Sequence, residues 1–287
     1  MNILKRKQSS LKPRPPKPAS AWKLFRTALI DLKQNIKRYS LIIAVVALPM
    51  DVLQLTPGLS NDPTFQGYSL VFIVIMNIAL IWAIAVRERT GQVPSMASAY
   101  YDGSVAIVRF MLIVSAILAM LIPVTFAVVL YLLATSGLQV AGTIQENLLI
   151  LFVCILISMI SGWLIVRFGL APIIAVADGI RPVHALRYSR MLTQGRFWWV
   201  FARYGALILF IIITALPIAG VTALLSAVHL TPIATLFFQF VTTLTALPLI
   251  NSFLLGLYRN LEQGYQSVQT PAYKASIAGI DNPSKTA

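Results

Sequence analysis

The chain has 287 residues, of which 58% are hydrophobic and 11% charged, and its formal net charge is +14 at pH 7. Soluble globular domains are less apolar and carry about 25% charged residues, so this composition excludes a soluble domain. Several apolar runs approach the roughly 20 residues that cross a bilayer, and they leave no room for a separate soluble catalytic domain.

Six apolar segments predict an all-α integral membrane protein with six transmembrane helices. In chain order they cover residues 40–56, 68–86, 110–136, 147–166, 199–226 and 232–258. Pro49, Pro123, Pro217 and Pro248 each lie inside one of these segments. We expect them to bend the helices, because proline removes a backbone hydrogen-bond donor.

The positive charges all fall on one side of this six-span layout. The three loops on the other side, residues 57–67, 137–146 and 227–232, contain none of the 23 lysines and arginines. All five tryptophans also lie on the basic side, where indole rings prefer the headgroup level. The positive-inside rule therefore predicts that both termini and the basic loops face the cytoplasm. Since the charges lie beside apolar spans, their expected partners are anionic lipid headgroups and not nucleic acid.

Three amphipathic helices are predicted at the cytoplasmic interface, over residues 20–38, 94–109 and 182–194. In the first, Trp22, Phe25, Leu29, Leu32 and Ile36 recur at helical spacing among basic residues. Such a helix lies flat on the inner leaflet or packs its apolar stripe on the protein's own bundle. The sequence leaves both alternatives open.

These interfacial helices resemble one another, which predicts a three-fold tandem repeat. The residues that correspond are Ala28, Asp31, Arg38 and Tyr39 in the first helix, Ala99, Asp102, Arg109 and Phe110 in the second, and, after a one-residue insertion, Ala185, Tyr188, Arg196 and Phe197 in the third. The six-span domain, residues 20–264, would then consist of units at about 20–91, 94–170 and 182–264. Residues 1–19 are predicted to form a disordered basic proline-rich tail, and residues 265–287 a flexible cytoplasmic tail.

The segment from residue 167 to 200 contains an apolar approach, an acid–glycine turn and a helix of the form A-L-x-x-S. The pattern is formed by Leu170, Ala171, Pro172, Asp178, Gly179, Ala185, Leu186, Ser189, Leu192, Thr193, Gly195, Arg196 and Trp198. It resembles poorly characterised bacterial six-helix membrane proteins, a group that includes the membrane domain attached to some glycerophosphoryl diester phosphodiesterases. The resemblance implies the six-helix fold and its orientation. Phosphodiesterase activity in that group belongs to a separate soluble barrel, which is not expected within these 287 residues.

Four arginines are the candidate binding residues for an anionic headgroup: Arg187, Arg190, Arg196 and Arg109. Guanidinium groups bind phosphate through paired, charge-assisted hydrogen bonds, which suits a lipid headgroup or a lipid-derived ligand. The same side chains also contribute to ordinary positive-inside charge, and the sequence does not separate the two roles.

The remaining ionisable residues do not indicate catalysis. Glu88, Asp102 and Asp178 are flanked by arginines, which predicts ion pairs and not general acids. His184 and His229 lie at opposite faces of the membrane, so no zinc site or histidine-based triad is predicted. Because acid, base and nucleophile do not converge, an enzyme is the least supported class, and no metal or other cofactor is expected.

Four polar side chains are predicted inside the spans: Asp51, Asn77, Ser158 and Asn251. An acid within the membrane indicates a proton or cation site, and a polar cavity lined by these four is one interpretation. In the other, Asp51 lies at an irregular outer end of a short span within reach of water, and the polar side chains join neighbouring helices.

Three functions are compatible with these features. The first is a non-enzymatic inner-membrane protein that engages anionic lipid headgroups, or a lipid-derived ligand, at the cytoplasmic leaflet. The second is a transporter or lipid flippase with a polar path near Asp51, Asn77 and Asn251, in which the proline kinks are hinges. The third is a membrane scaffold or assembly factor whose cytoplasmic helices bind a protein partner or a second copy of the chain.

Overall fold

The computed structural model describes residues 19–56, 58, 62–136, 152, 155, 159–227 and 231–280, without the side chains of residues 124, 127, 128, 130–136, 231, 232 and 266–280. Helices make up nearly all of these residues, and no strand occurs among them. The helices are α1 (Ala21–Gln54), α2 (Pro63–Thr90), α3 (Met96–Ser104), α4 (Ile107–Ser136), α5 (159–168), α6 (Ala171–Ala177), α7 (Pro182–Thr193), α8 (Phe197–Ala227) and α9 (Thr231–Ile280).

Local side-chain chemistry defines several helix ends. The Ser20 side chain accepts a hydrogen bond from the Lys23 amide at the start of α1, and Ser95 caps α3 in the same way. At the end of α2, Gly91 adopts a left-handed backbone with φ of 77°, and its amide bonds the Arg87 carbonyl. These caps satisfy backbone groups that the ends of a helix otherwise leave unpaired.

Four described helical segments are long and apolar enough to cross a membrane: Pro63–Thr90, Met159–Ala177, Phe197–Ala227 and Ile233–Tyr265. The pair Met96–Ser104 and Ile107–Pro123, bent by 64°, makes up to five. A multi-pass, membrane-embedded all-α protein is therefore supported. The predicted number of six spans is not confirmed, because α1 ends at Gln54 and the 18 residues before that end include Lys37, Arg38 and Asp51.

The interfacial helix predicted at 20–38 is not separate from the span predicted at 40–56. Both belong to α1, a single helix of 34 residues. Of the predicted apolar stripe, Phe25 and Leu32 are buried within the bundle, whereas Trp22, Leu29 and Ile36 are exposed. The Phe25 ring stacks on Phe210 of α8 at a centroid distance of 4.0 Å. The buried part of the stripe thus packs on the protein's own bundle.

The other two predicted interfacial helices are separate elements. α3 is divided from α4 at Val105 and Ala106, and α7 is followed by a turn in which Gly195 has a φ of 75°. Because α1 has no corresponding break, the first proposed repeat unit differs from the other two, and the three-fold tandem repeat is not confirmed.

The core lies where α2, α4, α7 and α9 surround the short helix α6, and α1 packs against α2 and α9 beside them. Six of the seven α6 residues are buried, although α6 is too short to span a bilayer by itself. The largest fully buried side chains are Tyr39, Ile42, Ile43, Met76, Ile78, Leu80, Ile113, Leu170, Ile174, Phe253, Leu257 and Tyr258. Most of the well-packed interior therefore lies at the arginine-rich end of the bundle.

Candidate functional site

The basic end of the molecule is the end at which the arginine-bearing parts of α1, α2, α8 and α9 meet α6 and α7. Arginines there bind backbone carbonyls from distant parts of the chain. Arg38 on α1 donates to the Val93 carbonyl, and Arg203 on α8 donates to the Ala19 carbonyl at 3.2 Å. These bonds fix the connection between α2 and α3 and the start of α1 against the bundle.

The first group of charges, the Asp178 cluster, forms at the end of α6. Asp178 Oδ1 accepts from Arg89 of α2 at 2.7 Å and from Arg259 of α9 at 3.0 Å. The Tyr258 hydroxyl donates to Oδ2 of the same carboxylate. Arg89 also donates to the Ala177 carbonyl, where α6 ends. One carboxylate therefore links α2, α6 and α9 through charge-assisted bonds.

Arg259 extends the Asp178 cluster to α7. Its guanidinium also binds Glu262 at 2.9 Å and Glu88 at 3.2 Å. Glu262 in turn accepts from the Tyr188 hydroxyl of α7 at 3.4 Å. Burial, followed by the Glu262 charge, raises the pKa of Tyr188 to about 12, so its hydroxyl keeps the proton it donates at neutral pH.

The second group, the Asp31 cluster, joins α1, α2 and α9. Asp31 is 4% exposed and pairs with Arg87 of α2. Its carboxylate also accepts from the Ser252 hydroxyl at 2.7 Å, from the Asn35 amide at 2.9 Å and from the Tyr39 hydroxyl at 3.1 Å. Burial and the Asp31 charge raise the pKa of Tyr39, which remains a neutral donor. The buried charge of Asp31 thus has one cation and three hydrogen-bond donors as partners.

Two of the four predicted headgroup-binding arginines share one exposed helix face. Arg187 and Arg190 lie three positions apart on α7 and are both exposed, and residues at this spacing are neighbours on a helix surface. The opposite face of α7 is buried through Ala185, Ser189 and Leu192. No carboxylate within the described ranges pairs with either arginine.

The other two predicted arginines have different surroundings. Arg196 follows the turn after α7 and lines a cavity of about 280 Å³, whose other walls are Met191, Leu192, Gln194, Gly264 and Tyr265. Arg109, at the start of α4, donates to the Gly179 carbonyl at 2.6 Å. Gly179 has a φ of 67° and turns the chain from α6 towards α7. Arg109 is therefore engaged within the protein at the predicted acid–glycine turn.

The predicted intramembrane polar residues divide between two levels of the bundle. The Asn251 amide donates to Asn77 Oδ1 at 2.8 Å, which joins α9 to α2 directly. Asp51 lies elsewhere, one turn before Gln54, whose side chain accepts from Gln239 of α9 at 3.0 Å. Ser158 lies outside the described residues.

The ion-pair prediction is confirmed for Glu88 and Asp178, whereas Asp102 forms no salt bridge with any residue that the structure describes. Sequence reasoning placed Asp31 in the first repeat unit but missed its ion pair with Arg87. The available signal was its position beside Leu32 and one turn from Ala28, which places an acid on the buried face of a basic helix.

Within the described ranges, no group of three or more His, Cys, Asp or Glu side chains could hold a metal ion. Comparisons with protein-family models, with curated proteins and with solved structures find no match to the chain. The resemblance carried by residues 167–200 therefore stays a prediction.

Proposed function

We propose that this protein is a multi-pass protein of the bacterial inner membrane whose α7 helix binds anionic lipid headgroups at the cytoplasmic leaflet. The observation that carries the proposal is that the arginines of the basic end differ in whether a carboxylate neutralises them. Arg87, Arg89 and Arg259 are neutralised by internal carboxylates, whereas Arg187 and Arg190 are exposed and have no carboxylate partner among the described residues. Exposed guanidinium groups at headgroup level attract lipid phosphates.

The composition of the exposed α7 face supports a membrane-surface role. Val183 and Met191 are exposed on the same helix as Arg187 and Arg190. A mixture of cations and apolar side chains is typical of helices that lie in the headgroup region. At the start of α8, Trp198 is 74% exposed, and an indole ring prefers that level of the bilayer.

The test compares two variants that lose the same charge. Arg187→Gln/Arg190→Gln neutralises the α7 face, and Lys33→Gln/Lys37→Gln neutralises two exposed lysines of α1. Native mass spectrometry of protein released from nanodiscs of mixed phosphatidylglycerol and phosphatidylethanolamine would measure the retained lipid. Since a hydrogen bond to a charged group contributes about 1.5–3 kcal/mol, we expect the arginine variant to lose phosphatidylglycerol retention roughly tenfold more than the lysine variant. Equal losses in both variants would assign the effect to general positive charge and contradict the proposal.

A second candidate function, movement of a proton or small cation, is favoured by Asp51. One carboxylate oxygen of Asp51 is buried and has no hydrogen-bond partner in the described part of the chain. The Thr242 hydroxyl of α9 is also buried and unpartnered there, one turn from Gln239. Unsatisfied buried oxygens at the α1–α9 contact are the groups that a bound cation, proton or water would satisfy.

Proton flux into proteoliposomes, followed with an enclosed pH-sensitive dye under an imposed gradient, tests this second function. Asp51→Asn should abolish a flux that the unmodified protein supports. Asp102→Asn, which alters an exposed acid, should leave the flux unchanged. Flux through the Asp51→Asn variant at the unmodified rate would reject a role for this carboxylate.

A further inference from the structure

An apolar groove lies between α5 and α8 at the surface of the bundle. Its volume is about 620 Å³, within the range of pockets that hold small molecules. One wall consists of Ile155, Met159, Gly162 and Trp163, and the other of Phe197, Trp198 and Phe201. We call this feature the α5–α8 groove.

The groove faces away from the protein at the level of the candidate spans. Met159 is 69% exposed, and Ile155 and Phe201 are also exposed. Nearly all of its lining residues belong to Met159–Ala177 and Phe197–Ala227, the segments that could cross a membrane. The environment of such a surface is the bilayer, so hydrocarbon is the medium that meets the groove.

Arg167 places a cation at one end of the α5–α8 groove. The Arg167 guanidinium lies 4.3 Å from the centre of the Trp163 ring, one turn further along α5 towards the basic end. The Ser189 hydroxyl of α7 donates to the Arg167 carbonyl at 2.7 Å, which joins the buried face of α7 to this end of α5. No carboxylate pairs with Arg167 within the residues that the structure describes.

The aromatic side chains lie between Arg167 and the apolar part of the groove. Phe197 contacts Trp198 and Phe201 at centroid distances of 5.3 and 6.0 Å. Beyond Phe201 the lining continues through Met159 and Ile155. Cation, aromatic belt and hydrocarbon thus follow one another in the order of phosphate, glycerol and acyl chain in a phospholipid.

We infer that the α5–α8 groove is a specific site for an anionic phospholipid, with one acyl chain between α5 and α8 and the phosphate at Arg167. This inference rests on the proposed headgroup-binding function and adds the acyl chain and Arg167 to it. A headgroup held by α7 alone would exchange with the surrounding bilayer. A chain held in the groove would make the lipid a retained ligand.

Gly162 provides the test of the acyl-chain part. A Cβ added at Gly162 would meet no atom within 4 Å, and Gly162 lines the groove, so the leucine of Gly162→Leu is expected to occupy groove space. Gly220→Leu is the matched control, because Gly220 also has free space and lies on α8 nineteen positions past Phe201. We expect Gly162→Leu to reduce retention of palmitoyl-oleoyl phosphatidylglycerol at least tenfold by native mass spectrometry, and Gly220→Leu to leave it unchanged.

Arg167→Gln tests the headgroup part without filling the groove. The Ser189 bond to residue 167 uses the backbone carbonyl, so the substitution leaves that contact in place. In nanodiscs of phosphatidylglycerol and phosphatidylethanolamine with identical chains, we expect the variant to retain a lipid but to lose its preference for the anionic one. This readout remains informative even if Gly162→Leu fails to fold.

The outcomes separate this inference from the proposed function. If Arg187→Gln/Arg190→Gln loses phosphatidylglycerol while Gly162→Leu and Arg167→Gln retain it with the original preference, the groove site is rejected and headgroup binding by α7 stands. If Gly162→Leu releases the lipid and Arg167→Gln removes the preference for the anionic one, while Arg187→Gln/Arg190→Gln changes neither, the groove site is supported and the α7 proposal fails. Equal displacement of bound lipid by soluble glycerophosphoglycerol and by short-chain phosphatidylglycerol would also reject the acyl-chain contact.

Discussion

Arg87, near the end of α2, pairs with Asp31 in the N-terminal half of α1, and the Asp31 side chain is only 5% exposed. Three further donors surround the carboxylate, and one of them, Ser252, lies 221 positions away on α9. The three helices that meet here all contribute to the basic end of the molecule. Asp31 thus neutralises an arginine and fixes the relative positions of α1, α2 and α9.

Removing the Asp31 carboxylate should strongly destabilise the fold. Asp31→Ala leaves the Arg87 guanidinium, Tyr39 and Ser252 without their shared acceptor, and loss of one partner from a buried pair costs about 3 kcal/mol or more. We expect this loss in the free energy of unfolding measured with denaturing detergent. Asp102→Ala, an exposed acid without an ion pair among the described residues, should leave the transition unchanged. A small effect for Asp31→Ala would show that the cluster does not hold the helices together.

The Asp178 cluster predicts a more local effect. Asp178→Asn keeps the shape of the side chain but removes the charge that Arg89 and Arg259 share. Since a hydrogen bond to a charged group contributes about 1.5–3 kcal/mol, we expect faster amide exchange in α6 and α7 and a loss of about 2 kcal/mol in stability. Hydrogen–deuterium exchange followed by mass spectrometry measures the first effect. Unchanged exchange in α6 and α7 would contradict the role of Asp178 as their anchor.

Hydropathy predicted three of the candidate spans. Most of the predicted ends lie within a few residues of the ends in the structure. The predicted segments 68–86, 199–226 and 232–258 overlap Pro63–Thr90, Phe197–Ala227 and Ile233–Tyr265. This success has a physical reason, because a long apolar run in a helix has to meet lipid or protein along its whole length. Ends shifted mainly where a helix continues past the apolar run, as α9 does beyond residue 258.

The predicted break between an interfacial helix and a span within α1 is wrong. The change from an amphipathic to an apolar pattern was interpreted as the start of a new helix. The segment before residue 38 is amphipathic and the segment after it is apolar, but no glycine or proline separates them, and the Ser40 hydroxyl donates to the Lys37 carbonyl instead of capping a new helix. Nothing there interrupts the backbone hydrogen bonds, so the helix continues to Gln54. A glycine or a proline within residues 38–41 would have been the signal for a break.

The two ion-pair clusters could be anticipated only in part. Arginines beside Asp178 and Glu88 indicated ion pairs, but the partners themselves come from helices far apart in the sequence, as with Arg259. The buried helix α6 was also missed, because seven apolar residues are too few for a span and carry no amphipathic period. Its position depends on the packing of α2, α4 and α9 around it, which a single sequence does not encode locally.

The hydrogen bond between Asn77 and Asn251 predicts a coupling between two spans. Replacing Asn251 with leucine leaves Asn77 without its partner, and a hydrogen bond between membrane helices contributes about 0.6 kcal/mol, up to roughly 1.7. We expect a loss in this range for Asn251→Leu. Asn77→Leu/Asn251→Leu should lose less than the sum of the two single variants, because neither unpaired amide remains. Additive losses in unfolding experiments would mean that the two amides act independently.

At the contact between α5 and α8, one substitution is expected to increase the free energy of unfolding instead of lowering it. The Tyr204 hydroxyl is buried and has no hydrogen-bond partner within the described ranges. Tyr204→Phe should therefore stabilise the fold by about 1 kcal/mol, since an unsatisfied buried hydroxyl is unfavourable. Gly169 lies directly against it: an added Cβ would fall 2.7 Å from that hydroxyl and 2.6 Å from the Ile165 carbonyl.

Gly169→Ala should accordingly destabilise the protein by about 1–3 kcal/mol through overpacking. Gly205→Ala is the control, since a side chain built there on α8 meets no atom within 4 Å. In the double variant Gly169→Ala/Tyr204→Phe, the contact with the hydroxyl is removed and the contact with the Ile165 carbonyl remains, so we expect partial recovery in the unfolding transition. If Gly169→Ala leaves the free energy of unfolding unchanged while Tyr204 is present, α5 and α8 approach less closely at this position than the 2.7 Å distance indicates.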